Sequence, residues 1–265
     1  MFNTNNDDDE SQNKFIHNKN LGQHFLIDQT YINNIYKTID MNYLTNTISN
    51  SSTNNNIIEI GPGLGILTKY IYNKQFQNLK IIEKDYRLIE QLRKQYPKAT
   101  VIHNDCLKEN LKSDIIITNL PYNISNNFLI YIASNDDFGK TILVMLQREL
   151  ATKLISEKNY LSVFLRIIFN INLCFNIPNA AFEPRPKVHS SFLCLKRKLH
   201  NITNVTNLFN FIKKLFNKKN QKIKNIFNLT SLNLQDYEDF NEIICKRPMH
   251  LSEKEILDLY FLIKN

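Results

Sequence analysis

From Ile57 onward, short apolar runs alternate along the chain with amphipathic stretches of helical periodicity. The apolar runs occupy residues 57–60, 79–82, 100–103, 115–118 and 141–146. The amphipathic stretches occupy residues 66–73, 86–95, 125–132 and 148–156. Near-continuous apolar strands that alternate with helices are typical of a parallel sheet covered by helices on both faces. The sequence therefore predicts an α/β fold with a parallel central sheet.

The rest of the chain departs from this alternation. Residues 169–177 and 190–196 predict two strands with no helix between them, which we expect to form an antiparallel hairpin at one side of the sheet. After residue 199 there is helical periodicity and no strand signal, with helices predicted at 205–216, 223–229 and 252–263, the last starting at a Ser252/Glu255 capping box. Upstream, a helix is predicted at 27–39 and a loop at 46–56. We therefore predict three parts: a disordered extension (1–18), an α/β domain (19–198) and a small helical domain (199–265).

Composition and charge narrow the class of protein. The chain has a net charge of +8 and a pI of about 9.1, which favours an anionic partner such as nucleic acid. The four cysteines are far apart, no signal peptide is visible and no apolar run approaches the length of a membrane span. The histidines show no ligand spacing, so no metal site is expected. We expect a cytoplasmic protein in a reducing compartment.

A glycine-rich turn lies between the first predicted strand and the first predicted helix. It reads Glu59-Ile-Gly61-Pro-Gly63-Leu-Gly65, and the third glycine of a dinucleotide fingerprint is replaced by Ile66. Glu83 and Asp105 follow the next two strands, where carboxylates can accept ribose hydroxyls and an adenine amine. Because three carboxylates around one pocket repel phosphate, the pattern favours a sulfonium cofactor over a dinucleotide.

A second motif, Asn119-Leu120-Pro121-Tyr122, follows the apolar run at 115–118. The Asn119 side-chain oxygen and the Leu120 carbonyl can accept the two hydrogens of a planar exocyclic amine, which would orient its lone pair for alkylation. Pro121 would fix the turn, and Tyr122 would stack on the base. The other reading of this motif is an ordinary strand-to-helix connection.

The proline-rich stretch after residue 181 supplies a second aromatic candidate. Phe182 is predicted at the tip of a stiffened loop, where it would stack on the other face of the base. Two basic clusters flank this pocket and are candidates for contacts with an RNA backbone, although such runs are often only solvated faces. One cluster contains Arg185, Lys187, Lys196, Arg197 and Lys198, and the other contains Lys213, Lys214, Lys218, Lys219, Lys222 and Lys224.

These motifs together resemble the KsgA-type small-subunit rRNA adenine dimethyltransferases, relatives of the Erm methyltransferases. The resemblance covers residues 19–198 and, more loosely, the C-terminal part. It rests on Leu21-Gly-Gln23-His24-Phe-Leu26, the glycine-rich turn, Glu83-Lys84-Asp85, Asn104-Asp105, Asn119–Tyr122, Met145-Leu-Gln-Arg-Glu149 and Phe182-Glu-Pro-Arg-Pro-Lys187-Val188. The family's Arg-rich stretch is replaced here by lysines at 218, 219, 222 and 224.

The resemblance implies a Rossmann-like class I methyltransferase sheet with a small all-helical C-terminal domain that binds RNA. It implies S-adenosylmethionine as donor and N6-dimethylation of two adjacent adenines in a hairpin near the 3′ end of small-subunit rRNA. The implied cofactor-binding residues are Gln23, His24, Leu26, Glu59, Gly61, Gly63, Glu83, Lys84, Asp105, Cys106 and Asn119. The implied base-binding residues are Asn119, Leu120, Pro121, Tyr122 and Phe182.

Two alternatives stay open at this point. An Erm-type enzyme would methylate large-subunit rRNA and confer antibiotic resistance, whereas a noncatalytic assembly factor would keep the fold without the chemistry. The lysine-rich C-terminal part favours the small-subunit enzyme, and the intact Asn119, Tyr122 and three acids argue against a noncatalytic protein. We expect the partner to be rRNA within an immature ribosomal subunit, and the protein to be a monomer without a metal.

Overall fold

A computed structural model describes residues 23–49, 56–74, 78–227 and 238–264 of the chain. The predicted extension at 1–18, the motif residues Leu21 and Gly22, and residues 50–55 of the predicted loop lie outside the described residues.

The central sheet is mixed and has the strand order β4-β3-β2-β5-β6-β9-β7. The first five strands in this order are parallel, and β9 and β7 continue the sheet in antiparallel pairing. A separate two-stranded ladder joins β1 to β8. The strands are β1 (Phe25–Leu26), β2 (Ile57–Ile60), β3 (Leu79–Glu83), β4 (Thr100–His103), β5 (Ile115–Thr118), β6 (Thr141–Gln147), β7 (Phe169–Ile177), β8 (Phe182–Glu183) and β9 (Ser190–Arg197).

The order of the strands reverses at β2, because β3 lies on one side of it and β5 on the other. Ligands of open α/β sheets bind at the carboxyl ends of the strands at such a switch point. Every residue of β2 and β5 is buried, in keeping with the continuous apolar runs that predicted them. The predicted parallel strands and the predicted antiparallel hairpin are confirmed.

The helices cover both faces of the sheet and form the C-terminal part. They are α1 (Gln29–Ser49), α2 (Ile66–Asn73), α3 (Tyr86–Gln95), α4 (Ser125–Ala133), α5 (Arg148–Ser156), α6 (Tyr160–Ile168), α7 (Val205–Asn217), α8 (Ile223–Ile226), α9 (Glu238–Cys245) and α10 (Glu253–Lys264). The Ser252/Glu255 capping box is confirmed, because the Glu255 amide donates to the Ser252 hydroxyl and the Ser252 amide donates to the Glu255 carboxylate.

Several elements differ from the predictions: α9 was not predicted, and α8 ends at Ile226, before the predicted end at residue 229. The predicted loop at 46–56 is wrong at its start, because α1 continues through Ser49. Helix α6 was not predicted, since its nine residues are mostly apolar and so short an apolar run does not distinguish a helix from a buried strand. Its beginning is fixed by a capping box between Asn159 and Ser162.

The core consists of two apolar clusters on opposite faces of the sheet. One cluster lies under α1, α2 and α3 and contains Ile35, Ile71 and Leu88. The other lies under α4 and α6 and continues without a break into α7 and α10, for example through Phe164 and Leu208. Arg166 of α6 also donates to Glu253 of α10 at 2.9 Å. The helical part thus packs directly on the sheet domain, and the division at residues 198 and 199 stays a prediction.

Candidate active site

One pocket opens at the carboxyl ends of β2, β3, β4 and β5, at the switch point of the sheet. All of the predicted cofactor-binding residues line it: Gln23, His24, Leu26, Glu59, Gly61, Gly63, Glu83, Lys84, Asp105, Cys106 and Asn119. Leu120, Pro121 and Tyr122 line it as well. The structure therefore brings together the motifs from both halves of the predicted site, and Phe182 is the one base-binding candidate that is absent from the lining.

The glycine-rich turn needs its glycines for two reasons. Gly61 and Gly63 have φ values of +66° and +56°, which side-chain-bearing residues rarely adopt. A Cβ on Gly63 would also lie 2.7 Å from the Phe25 ring, so Phe25 packs against the bare backbone there. The turn thus forms a thin wall of the pocket, and Phe25 of the N-terminal segment packs against it and lines the same pocket.

Glu59 is the deepest acid in the pocket and is only 2% exposed. Its Oε2 atom has no hydrogen-bond partner among the described residues. Burial, reinforced by the nearby charge of Glu83, raises the pKa of Glu59 to about 8. A buried carboxyl oxygen without a partner fits a ligand that brings a positively charged or hydrogen-donating group to this depth.

Glu83, at the end of β3, is held by the backbone. Its Oε1 accepts the amides of Lys84 and Asp85, each at 2.8 Å, and its Oε2 accepts the Gly63 amide at 3.4 Å. Burial raises the pKa of Glu83, although these amides oppose the shift. Its carboxylate is therefore fixed in orientation between the glycine-rich turn and the loop after β3.

Asp105 lies at the far end of the pocket, after β4. Its Oδ2 accepts from Lys84 Nζ at 2.8 Å and its Oδ1 accepts the Leu107 amide at 3.0 Å. The hydrogen bond from Lys84 lowers the pKa of Asp105, so the carboxylate is ionised at neutral pH. The adjacent Cys106 thiol has a pKa raised by burial to about 12, so it is protonated and acts there only as a small apolar wall.

The N-terminal segment crosses the pocket and connects its two sides. Gln23 donates to Asp85 at 2.9 Å, beside the predicted cofactor-binding acid Glu83. The next residue, His24, lies with its Nδ1 2.6 Å from the Pro184 carbonyl, on the loop before β9. Phe25 and Leu26 then pair with β8. The segment therefore links the loop after β3 to the loop between β8 and β9.

The Asn119–Tyr122 motif lines the side of the pocket that is predicted to bind the base. The Asn119 side chain makes no hydrogen bond with a described residue, so its oxygen is available to a ligand. Tyr122 begins a short 3-10 turn, and its hydroxyl lies 2.5 Å from the Ser190 hydroxyl. The Tyr122 ring is nearly parallel to the His24 ring, at 21°, with centroids 6.2 Å apart.

The prediction that Phe182 lies at an exposed loop tip is wrong. Phe182 belongs to β8, pairs with Leu26 and is 2% exposed, with its ring in the same apolar cluster as Phe192. The proline-rich stretch predicted a protruding loop, but the pairing with β1 draws Phe182 into the core. In this conformation the ring has no accessible face on which a base can stack.

The predicted basic clusters differ in whether their charged groups are exposed or are bound to other groups of the protein. Lys218, Lys219, Lys222 and Lys224 are exposed and form no ion pair within the described ranges. Arg185 and Lys187 are exposed too, with Arg185 donating to Asn179 at 2.8 Å. Arg197 and Lys198 do not fit the prediction, because Arg197 donates to the carbonyls of Phe138 and Ile132, and Lys198 donates to the Arg166 carbonyl.

Sequence reasoning missed two hydroxyl groups of the site. Thr118 lines the pocket at the end of β5, is 1% exposed, and its hydroxyl has no partner among the described residues. Ser190, in β9, is fully buried and contacts Tyr122 from outside the pocket. Thr118 was discoverable as the polar end of an apolar strand, whereas nothing in the sequence links Ser190 to a residue 68 positions away.

Metal-ligand clusters and membrane-spanning helices are both absent from the described part of the chain. It contains no group of three or more His, Cys, Asp or Glu residues that could hold a metal ion. It also contains no helix long and apolar enough to cross a bilayer.

Comparison with known proteins assigns a family to this geometry. The sequence model of the ribosomal RNA adenine dimethylase family matches residues 14–264. The ribosomal RNA small subunit methyltransferase A of Malacoplasma penetrans is 33% identical over 198 residues, which are 71% of this chain and 68% of the relative. The protein of the same name from Buchnera aphidicola is 38% identical over 205 residues, which are 72% and 75% of the two chains.

Solved structures agree in fold. A dimethyladenosine transferase from Plasmodium falciparum superposes with a TM-score of 0.71 at 21% identity, covering 89% of this chain and 95% of that one. The 23S rRNA methyltransferase ErmE superposes with a TM-score of 0.66 at 19% identity, covering 91% and 100%. Both likenesses establish the methyltransferase fold. With the sequence match over nearly its whole length, the chain belongs to the ribosomal RNA adenine dimethylase family of S-adenosylmethionine-dependent enzymes.

Proposed function

We propose that this protein transfers methyl groups from S-adenosylmethionine to N6 of two adjacent adenines in a hairpin near the 3′ end of small-subunit rRNA. The observation that carries the proposal is the position of the Asn119 side chain. This side chain lines the same pocket as Glu59, Glu83 and Asp105, and it makes no hydrogen bond with a described residue. Tyr122, three residues further along the chain, lines the pocket as well.

The residues of the cofactor side fit this donor. The unpartnered Oε2 of Glu59 suits the cationic amino group of a methionine tail, the backbone-held Glu83 suits the ribose hydroxyls, and the ionised Asp105 suits the adenine amine. The glycine-rich turn allows close approach of the chain to the ligand. When bound, the cofactor supplies an electrophilic methyl group on a positively charged sulfur.

The residues of the base-binding side promote transfer by orienting the target amine. The Asn119 side-chain oxygen and the Leu120 carbonyl accept the two hydrogens of the target amine, which aims the nitrogen lone pair at the cofactor side of the pocket. Tyr122 stacks on the flipped base, since aromatic stacking is the usual way to hold an extruded nucleotide. The alkylated amine is acidic, so it loses its proton without a dedicated strong base.

The exposed basic residues complete the proposal. Arg185 and Lys187 lie on the loop before β9, Lys218, Lys219 and Lys222 lie in the turn between α7 and α8, and Lys224 lies on α8. Their charges are available for phosphate groups of a folded RNA. We further propose that the substrate is an immature small subunit, that the protein acts as a monomer, and that it works in the cytoplasm where ribosomal subunits are assembled.

Two other functions remain as outcomes of the test. An Erm-type activity on large-subunit rRNA is supported by the shared fold of ErmE, but the relatives of higher identity carry a small-subunit name. A noncatalytic RNA-binding assembly factor would explain the basic charge alone. The free Asn119 amide and the unpartnered Glu59 oxygen would have no role in such a protein.

The test is methyl transfer from labelled S-adenosylmethionine to immature small-subunit and large-subunit particles in parallel. We expect label in N6,N6-dimethyladenine of the small-subunit rRNA alone. The Asn119→Ala variant is expected to lose transfer while binding the cofactor nearly as well as the wild type. Label in the large subunit would support the Erm-type reading, and label in neither would support the noncatalytic one.

A further inference from the structure

The Tyr122 ring is held from outside the pocket by a residue that does not touch the ligand space. The hydroxyl of Ser190, the first residue of β9, lies 2.5 Å from the Tyr122 hydroxyl, and either group can be the donor. Ser190 is fully buried and is not among the residues that line the pocket. It therefore acts on the site only through Tyr122.

The position of Ser190 in the sheet makes it a rigid support. It pairs with Gln147 at the end of β6 and with Ile177 at the end of β7, so its backbone is fixed on both sides. A serine in such a place can move its hydroxyl only by rotation about one bond. In contrast, Tyr122 lies in a short 3-10 turn whose backbone does not determine the direction of the ring.

Two contacts define the orientation of the Tyr122 ring. The hydrogen bond to Ser190 fixes the position of the phenol oxygen, while the Pro121 turn fixes the other end at Cβ. One face of the ring lies toward His24, whose own Nδ1 is 2.6 Å from the Pro184 carbonyl. Because Phe182 is buried and offers no stacking face in this conformation, it does not clamp the base from the other side. Stacking therefore depends more strongly on the orientation of the Tyr122 ring.

We propose that Ser190 is a positioning residue that holds the Tyr122 ring in the plane required to stack on the target adenine. The inference rests on the proposed function, because it assigns the base-binding half of that site to a specific support. Loss of the Ser190 hydroxyl would leave the phenol oxygen without its partner and allow the ring to rotate. We expect this loss to weaken binding of the target base and to leave the affinity for the cofactor unchanged.

The chain provides a matched control in the next residue. Ser191 is also on β9 and only 1% exposed, but its hydroxyl donates to Asn176 at 2.7 Å, away from Tyr122. Ser190→Ala and Ser191→Ala therefore remove the same group from adjacent buried positions of one strand. Tyr122→Phe removes the other partner of the contact and keeps the ring.

The experiment measures methyl transfer to small-subunit particles and cofactor affinity by calorimetry for the full-length wild type, the three single variants and Tyr122→Phe/Ser190→Ala. We expect Ser190→Ala and Tyr122→Phe each to lower kcat/KM for RNA by roughly tenfold, mainly through KM, with unchanged cofactor affinity. The double variant should be no worse than Tyr122→Phe, and Ser191→Ala should match the wild type.

A fluorescent base gives a readout that a purely structural role would not change. With 2-aminopurine at the target position of a hairpin RNA, saturating wild-type protein should quench the extruded base by stacking, and Ser190→Ala should leave it brighter. Equal kinetics for Ser190→Ala and Ser191→Ala would overturn the proposal. So would a full Ser190→Ala effect in the Tyr122→Phe background.

If Ser190→Ala does not fold, Tyr122→Phe decides alone, since it leaves β9 intact: wild-type kinetics would overturn the proposal, and a loss confined to RNA would support it. Failure of the proposed substrate is a separate result. If label enters large-subunit particles instead, the same five proteins compared on that RNA still decide the role of Ser190.

Discussion

Lys84 Nζ lies 2.8 Å from Asp105 Oδ2, so the acid proposed to accept the adenine amine already has a cationic partner within the protein. The other oxygen accepts the Leu107 amide at 3.0 Å. Lys84 is largely exposed, and the pair lies at the rim of the pocket. The lysine therefore keeps Asp105 ionised and oriented, whereas the carboxylate itself is the group that would accept the adenine amine.

The first prediction separates these two roles. Asp105→Asn keeps the shape of the side chain but removes the charge-assisted hydrogen bond, which is worth about 1.5–3 kcal/mol. We expect cofactor affinity to fall roughly 10- to 100-fold in calorimetric titrations. Lys84→Met keeps the apolar stem and removes an exposed ion pair worth roughly 0–1 kcal/mol, so the loss should stay under about fivefold. Wild-type affinity in Asp105→Asn would place the adenine elsewhere.

The second prediction concerns the pH dependence of the ligand-free protein. The pKa of Glu59 is raised by burial to about 8, whereas an unfolded chain has the ordinary value of 4.5. Between these values the folded state keeps a proton that the unfolded state releases, so stability falls as the pH rises from about 5 to about 8 and then levels off. Thermal unfolding midpoints across this range should fall less in Glu59→Gln, which cannot ionise.

The same carboxyl should couple cofactor binding to proton release. A cationic amino group near Glu59 favours the ionised form, so binding at pH 7 is expected to release a proton. Calorimetric titrations in buffers of different ionisation enthalpy count the protons directly. Glu59→Gln should abolish the release and weaken binding. Equal proton release in the wild type and in this variant would assign the effect to another group.

The third prediction tests the glycine-rich turn. Gly63→Ala places a methyl group at a φ of +56° and 2.7 Å from the Phe25 ring, so we expect a loss of about 1–2 kcal/mol in unfolding free energy together with weaker cofactor binding. Gly139 is a matched control, with a φ of +53° and a Cβ contact of 2.8 Å to Ile116, but it does not line the pocket. Gly139→Ala should lose stability in urea unfolding and keep cofactor affinity.

Local sequence patterns predicted much of the fold and of the site. Features that depend on contacts between distant parts of the chain were not predictable in this way. The strands and the acids that follow them were predictable because apolar runs and strand-end residues are local features, and parallel strands bring their ends together. The burial of Phe182 was not, since it depends on pairing with Leu26 far upstream. Helix α6 was missed for a different reason: its nine residues are nearly all apolar and buried, and so short an apolar run does not distinguish a helix from a strand.

The last prediction concerns the lysines of the C-terminal part. Lys218 and Lys222 are exposed and have no acidic partner among the described residues, so each is free to contact a phosphate. Charge reversal at both is expected to weaken binding of the rRNA hairpin and to lower the slope of log affinity against log salt by about one for each lost contact. Filter binding at several salt concentrations measures both quantities.

Lys94→Glu/Lys98→Glu is the control for total charge, because these lysines are exposed at the end of α3 and in the turn that follows it, and the pair changes the net charge by the same amount. A general field effect would weaken binding equally in the two double variants and leave the slope difference at zero. A local phosphate contact would lower the slope only in the Lys218/Lys222 variant. Cofactor affinity should be unchanged in both, since neither pair lines the pocket.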